Sequence, residues 1–281
     1  MERKLKFLIF SAVGICLAFL SMRAGVLAGP ASPLVSGITA TDPVNLNTCS
    51  TVVIWCNATI NDGDGWEDIN NVNATLWDPA STAEGSSDSN SNHYTNSSCT
   101  LGANVSFTDV PANCSFTLQY YANPADWTCK IYANDTSGNS GSSFITDATI
   151  NTLRALDAEN AIDFGSLVPD STSPEDANNT VTNCGNVPID LNLSGTDLVN
   201  ASAGIANISV SSVKHNVTAP GQDYAAGMSP LSATPTYANF TLAKRTNGLS
   251  INKTYWKIGV PSVIEKLIYT GTITFTAVDD N

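Results

Sequence analysis

Over much of this chain apolar residues return at every second position, and Gly, Pro, Asn and Asp interrupt the runs. In residues 51–60, Val52, Ile54, Cys56, Ala58 and Ile60 share one face, with Asn57 on the other. Trp127, Cys129, Ile131 and Ala133 repeat the pattern with Asn134 opposite. So do Val72, Ala74 and Leu76 with Asn73, and Cys114, Phe116, Leu118 and Tyr120 with Asn113. A period of two marks a β-strand with one buried face. The 3.6-residue stripe of an amphipathic helix is nearly absent. Because a slip of one residue would turn each buried set outward, the pattern also sets the register. It predicts an all-β protein of antiparallel sheets stacked as sandwiches, since a parallel α/β architecture would need crossover helices.

The chain has 281 residues, and its N-terminus reads as a leader. Arg3, Lys4 and Lys6 precede an uncharged stretch at 7–20, and small residues surround Val26, Leu27 and Ala28. This is the layout of a signal peptide cut after Ala28. Arg23 cuts the apolar run short of the roughly 20 residues a spanning helix needs. A membrane tie is therefore expected only through an uncleaved N-terminus. The remaining length suits two domains. Residues 1–148 hold all but one of the Cys and every Trp except Trp256, which places a boundary near Leu153. The expected organisation is leader 1–28, a disulfide-bonded immunoglobulin-like β-sandwich at 29–152, and a second, immunoglobulin-like or jelly-roll-like β-sandwich at 153–281.

The cysteines sharpen the first domain. Cys56 and Cys129 both sit mid-strand on inward parity, at a spacing that suits a bridge between the sheets of an immunoglobulin-like sandwich. Cys99 and Cys114 make a second pair across a hairpin. Cys49 and Cys184 are left with three fates open: bridging the domains, pairing between chains, or staying free.

Two stretches carry a resemblance. Trp127-Thr-Cys-Lys-Ile-Tyr-Ala-Asn-Asp-Thr-Ser-Gly-Asn139 resembles the late strand and turn of immunoglobulin-like modules in archaeal and bacterial surface proteins. Asp62-Gly-Asp-Gly-Trp-Glu-Asp-Ile69, followed by Val72-Asn-Ala-Thr-Leu-Trp77, resembles the turn and third strand of such modules, with Trp77 on the outward parity. In the second domain the pattern comprises Ile162-Asp-Phe-Gly-Ser-Leu167, Val181-Thr-Asn-Cys-Gly-Asn-Val-Pro-Ile-Asp-Leu-Asn-Leu193, Tyr255-Trp-Lys-Ile-Gly-Val-Pro261 and Tyr269-Thr-Gly-Thr-Ile-Thr-Phe-Thr-Ala277. Together these are distantly similar to the camelysin-like matrix-fibre subunits. The resemblance implies a prokaryotic, archaeal, cell-surface protein.

Sequons strengthen the extracellular reading. Asn-x-Ser/Thr occurs thirteen times, at Asn57, Asn73, Asn96, Asn104, Asn113, Asn134, Asn178, Asn192, Asn200, Asn207, Asn216, Asn239 and Asn252. The Asn, Ser and Thr content would give roughly six by chance, so the excess points to a secreted, N-glycosylated surface protein. The full chain carries a net charge of −13. Losing Arg3, Lys4, Lys6, Arg23 and Glu2 with the leader takes it to about −16, which argues against nucleic acid or an anionic membrane as partner.

Residues for chemistry are sparse. His93 sits in a Ser/Asn-rich loop and His215 beside the sequon at Asn216; neither has a companion at metal-ligand or triad spacing. No HExxH, GxSxG, P-loop or dinucleotide fingerprint occurs, so no catalytic residue is assigned and the chain is not expected to be an enzyme. The only cofactor suggested is Ca²⁺, with Asp62, Asp64 and Asp68 as candidate ligands, because clustered carboxylates suit that ion. The polar segment 81–98 reads as a surface loop. Two roles compete. One is a cell-envelope structural or adhesive component, such as a surface-layer accessory, matrix fibre or cell-contact protein, whose partners are other envelope proteins or its own copies. The other is a carbohydrate-binding module using Trp55, Trp66 and Trp77 on a polysaccharide. A hydrolase with an unrecognised site ranks third.

Overall fold

The structure is a computed structural model that describes residues 29–202 and 206–280. The expected leader, 1–28, lies outside the described residues. Strands dominate, two 3-10 turns at Trp66–Asp68 and Val210–Ser212 interrupt them, and no α-helix occurs among the described residues. The architecture is all-β with antiparallel sheets, as the alternating pattern requires.

The first half contains β1 (Leu34–Ala40), β2 (Thr51–Asn61), β3 (Ile69–Trp77), β4 (His93–Asn96), β5 (Thr100–Leu101), β6 (Asp109–Gln119), β7 (Asp126–Asp135) and β8 (Ser140–Thr149). They form one sheet in the order β1-β2-β6-β5 and a second in the order β4-β3-β7-β8. In the first sheet Val52 faces Leu118, Ile54 faces Phe116 and Cys56 faces Cys114, so the apolar parity of both strands points into one layer. In the second, Val72 faces Ala133, Ala74 faces Ile131 and Leu76 faces Cys129. Ile54, Ile60, Leu76, Leu118, Trp127 and Ile131 are fully buried between the sheets. Burying a side chain of this size contributes roughly 1.5–3 kcal/mol. Cys56 is bonded to Cys129 across the sheets, and Cys99 to Cys114.

The second half contains β9 (Leu156–Ala158), β10 (Ser171–Thr172), β11 (Ala177–Asn183), β12 (Ile189–Gly195), β13 (Val213–Asn216), β14 (Ser229–Pro230), β15 (Thr236–Tyr237), β16 (Ile251–Val260) and β17 (Ile273–Asp279). One sheet runs β14-β13-β16-β11-β9, with β10 also pairing β16, and faces a three-stranded sheet β15-β12-β17. Ile189, Leu191 and Leu193 from β12 meet Val181, Trp256 and Ile258 in a second buried cluster. Residues 162–167, expected as part of a strand-and-turn pattern, form no strand. Ile162, Phe164 and Leu167 instead lay their side chains against this cluster from an irregular segment. The last strand begins at Ile273, later than the stretch from Tyr269 suggests.

The larger correction concerns Trp77 and the polar segment after it. By parity Trp77 points away from the core, yet it is only 8% exposed. The reason is that residues 78–92 fold back over the outer face of the second sheet. Glu84 of this segment accepts hydrogen bonds from Lys130 Nζ at 2.9 Å and from the Tyr132 hydroxyl, and both side chains lie on the outward parity of β7. Asp78 accepts from Asn123 Nδ2 at 2.8 Å and from Ser81 Oγ at 2.7 Å, pinning the start of the loop. The segment ends in β4, which pairs with β3 so that His93 faces Trp77. Residues 81–98 are therefore a fastened roof with an edge strand.

The two halves meet through a turn, Asn183-Cys-Gly-Asn186. Of the three fates open to Cys49 and Cys184, the structure has them joined to each other, closing a 135-residue separation. Asn186 is fully buried. Its Oδ1 accepts from the Leu153 amide at 2.7 Å, and its Nδ2 donates to the carbonyls of Ala122 and Asn151, each at 3.0 Å. A buried amide with all these partners satisfied specifies one arrangement of the segments it joins.

Candidate functional site

The acidic turn after β2 is built by its glycines and by three main-chain hydrogen bonds. Gly65 sits at φ 120°, a conformation that excludes most side chains, and its amide donates to the Asp62 carbonyl at 3.1 Å. The Asp62 amide donates to the Thr108 carbonyl at 2.9 Å, and the Asp68 amide to the Gly65 carbonyl at 3.0 Å. This folding brings together only part of the expected set. Asp64 turns away and accepts the Ala31 amide at 2.7 Å through Oδ2. Its place is taken by Asp135 at the end of β7: carboxylate oxygens of Asp62, Asp68 and Asp135 all lie within 4.8 Å of one another. Nothing in the local spacing signals Asp135, which is distant in sequence and arrives because β3 pairs with β7, with Ile69 opposite Asp135.

The partners of the three carboxylates differ. Asp135 is buried and accepts the Asn139 amide and Asn139 Nδ2, each at 2.8 Å. Burial alone would raise its pKa, but the Asn139 donors and the Ser137 and Gly138 amides outweigh that and hold it below the usual carboxylate range. Asp68 accepts from the Thr136 hydroxyl, and its carbonyl accepts the Thr136 amide at 2.9 Å. Asp62 is 0% exposed; its Oδ1 accepts the Asp64 amide at 2.9 Å, whereas its Oδ2 is buried and has no hydrogen-bond partner among the described residues. None of the three is in an ion pair among the described residues. Two carboxylates at such a separation repel by roughly 3–4 kcal/mol at an effective dielectric constant near 20.

None of the sequon asparagines is buried. All thirteen are half-buried or exposed, including Asn57, Asn73, Asn113 and Asn134 on the outward parity of their strands. The three fully buried asparagines, Asn179, Asn183 and Asn186, all lie outside sequons. Asn57 and Asn113 are cross-strand partners on the outer face of the first sheet.

Other candidates separate. His93 is buried, with Nδ1 2.9 Å from Asp88 and Nε2 2.8 Å from the Glu84 carbonyl, so it holds the roof in place. His215 is buried against Trp256, ring centroids 5.4 Å apart. Of the three tryptophans considered for sugar stacking, Trp55 is 45% exposed, Trp66 is partly buried against the first core, and Trp77 is covered. They form no common platform. One further feature has no signal in the local residue pattern. Edge strand β17 pairs with β12 on one side only among the described residues, and beside it opens a cleft of about 1030 Å³ lined by Ile162, Phe164, Leu198, Ile273 and Phe275. Exposed Val263, Leu267 and Ile268 lie in the segment leading to β17, and the last two line the cleft as well.

No protein-family model and no curated protein matches the chain. Among solved structures it is similar to a DUF4466 family protein from Parabacteroides merdae, at 9% identity over 82% of this chain and 100% of that one, with a TM-score of 0.26. It is also similar to the CupB6 tip adhesin from Pseudomonas aeruginosa, at 11% identity over 90% of this chain and 95% of that one, with a TM-score of 0.27. At TM-scores this low, the reading of function rests on the chain's own residues.

Proposed function

We propose that this chain is an exported, N-glycosylated cell-envelope protein of structural or adhesive role, without enzymatic activity. The observation that carries the reading is that the chain has thirteen sequons and that none of their acceptor asparagines is buried. Three disulfides support an oxidising compartment. Contact with neighbours is assigned to β17. An edge strand with unpaired main-chain groups accepts an added strand, and the inward side chains of such a strand would enter the apolar cleft beside Ile273 and Phe275. The occupant is taken to be an extended segment of a second copy. Sugar recognition is the weaker reading, because burial of Trp77 breaks the aromatic row it needs.

Electron microscopy and light scattering of glycosylated material test this. Ordered filaments or lattices that dissolve in Thr276→Lys, a charge placed at an exposed position of the edge strand, support assembly through β17. Monodisperse particles that shift in a polysaccharide gel would replace it with sugar binding.

A further inference from the structure

We infer that Asp62, Asp68 and Asp135 form a Ca²⁺ site that clamps the two sheets of the first sandwich at one end. An acidic cluster alone is commonplace on a protein surface. Here a second observation singles it out, because Asp62 is fully buried and its Oδ2 has no partner among the described residues, while its carboxylate faces the other two. A buried carboxylate oxygen left unsatisfied beside two further carboxylates is unfavourable unless a cation completes the group. No Lys or Arg is ion-paired with any of the three among the described residues, so none of those residues supplies the compensating charge that a bound cation would.

The donors select the ion. Three carboxylates are hard oxygen ligands without His or Cys, which suits Ca²⁺ or Mg²⁺ over zinc or copper. They are borne by two loops of different origin, and such a site fits the larger ion with its adaptable coordination number better than the strict octahedron of Mg²⁺. Water and loop carbonyls would supply the remaining ligands.

The consequence is mechanical. Asp62 follows β2 in the first sheet, whereas Asp135 ends β7 in the second, and Asp68 starts the path into β3. An ion bound to all three ties the β2–β3 connection to the β7–β8 hairpin. A protein exposed to extracellular Ca²⁺ would hold such a site filled even at the affinity of about 10⁻⁴–10⁻³ M seen in extracellular modules.

The test uses the full exported chain stripped with EDTA. Calorimetric titration with CaCl₂ should show one ion per chain, MgCl₂ should bind more weakly, and about 10 mM CaCl₂ should raise the melting temperature. Tb³⁺ should show luminescence sensitised by Trp66, in the same turn as Asp68. Asp68→Asn should weaken Ca²⁺ binding by about tenfold or more with the near-ultraviolet spectrum retained, while Asp64→Asn, whose carboxylate serves the Ala31 amide, should leave it unchanged. Asp135 also holds Asn139, so Asp135→Asn is read only as confirmation. Absence of a saturable Ca²⁺ signal in the wild type, or equal losses in Asp64→Asn and Asp68→Asn, overturns the assignment.

Discussion

His215 shows how a single buried side chain sets a pH response. It is 6% exposed, packs on Trp256, and its Nδ1 has no hydrogen-bond partner among the described residues. Burial pushes its pKa below the ordinary value of 6.5. The unfolded chain therefore takes up a proton that the folded chain refuses, and the stability present above about pH 6.5 is lost as pH falls toward the lowered folded value. Melting temperature should drop between pH 7.5 and 5.5, and His215→Phe should flatten that slope; an unchanged slope would clear the residue. Glu84 acts in a separate window. The Tyr132 hydroxyl, followed by Lys130, holds its pKa down, so its contribution is lost only as pH falls below the ordinary carboxylate value near 4.5. At this scale the sequence conveys parity well and burial poorly. Asn57 and Ile54 declare their faces through their neighbours in the strand. His93 becomes interior through Asp88 and Glu84 of its own folded loop, and His215 through packing on Trp256 of β16.

Strands were legible because alternation is written in consecutive residues: β2, β6 and β7 have their expected inward sets. What covers a strand's outer face was not. On the outer face that carries Trp77, Glu84 of the following segment is fastened to Lys130 and Tyr132, a contact between residues far apart in sequence. The meeting of β1 with β8 was equally hidden. A Cβ built on Gly141 would come 1.8 Å from the Pro33 carbonyl oxygen, so this glycine permits the chain entering β1 to lie against β8. At the other end, the Val44 amide donates to the Thr149 carbonyl at 2.8 Å. Together these contacts bring the edges of the two sheets together on one side. Gly141→Val should force them apart and cost about 1–3 kcal/mol in urea unfolding. Wild-type stability in this variant would mean that the edges do not meet.

For the whole molecule, two buried clusters, one drawing on residues 35–153 and the other on 156–277, are joined through Cys49–Cys184 and Asn186. The shift in Cys and Trp content predicts a boundary near Leu153, but the joining turn could not be read, since pairing of cysteines depends on distances that spacing does not supply. In the chain-entropy picture a cross-link closing so long a loop stabilises by about 4–5 kcal/mol. Asn186 carried a faint signal, an asparagine outside any sequon beside the lone cysteine of its half. The acidic site was half legible for the same reason: Asp62 and Asp68 are neighbours in sequence, and Asp135 is delivered by strand pairing.

Export into an oxidising, glycosylating environment underlies the proposed role, and non-reducing peptide mapping by mass spectrometry of the native protein tests it directly. The expected map contains the linked pairs Cys49–Cys184, Cys56–Cys129 and Cys99–Cys114, with glycan on several of Asn57, Asn73, Asn113 and Asn134. Free thiols at all six positions together with unmodified asparagines at these sequons would contradict it.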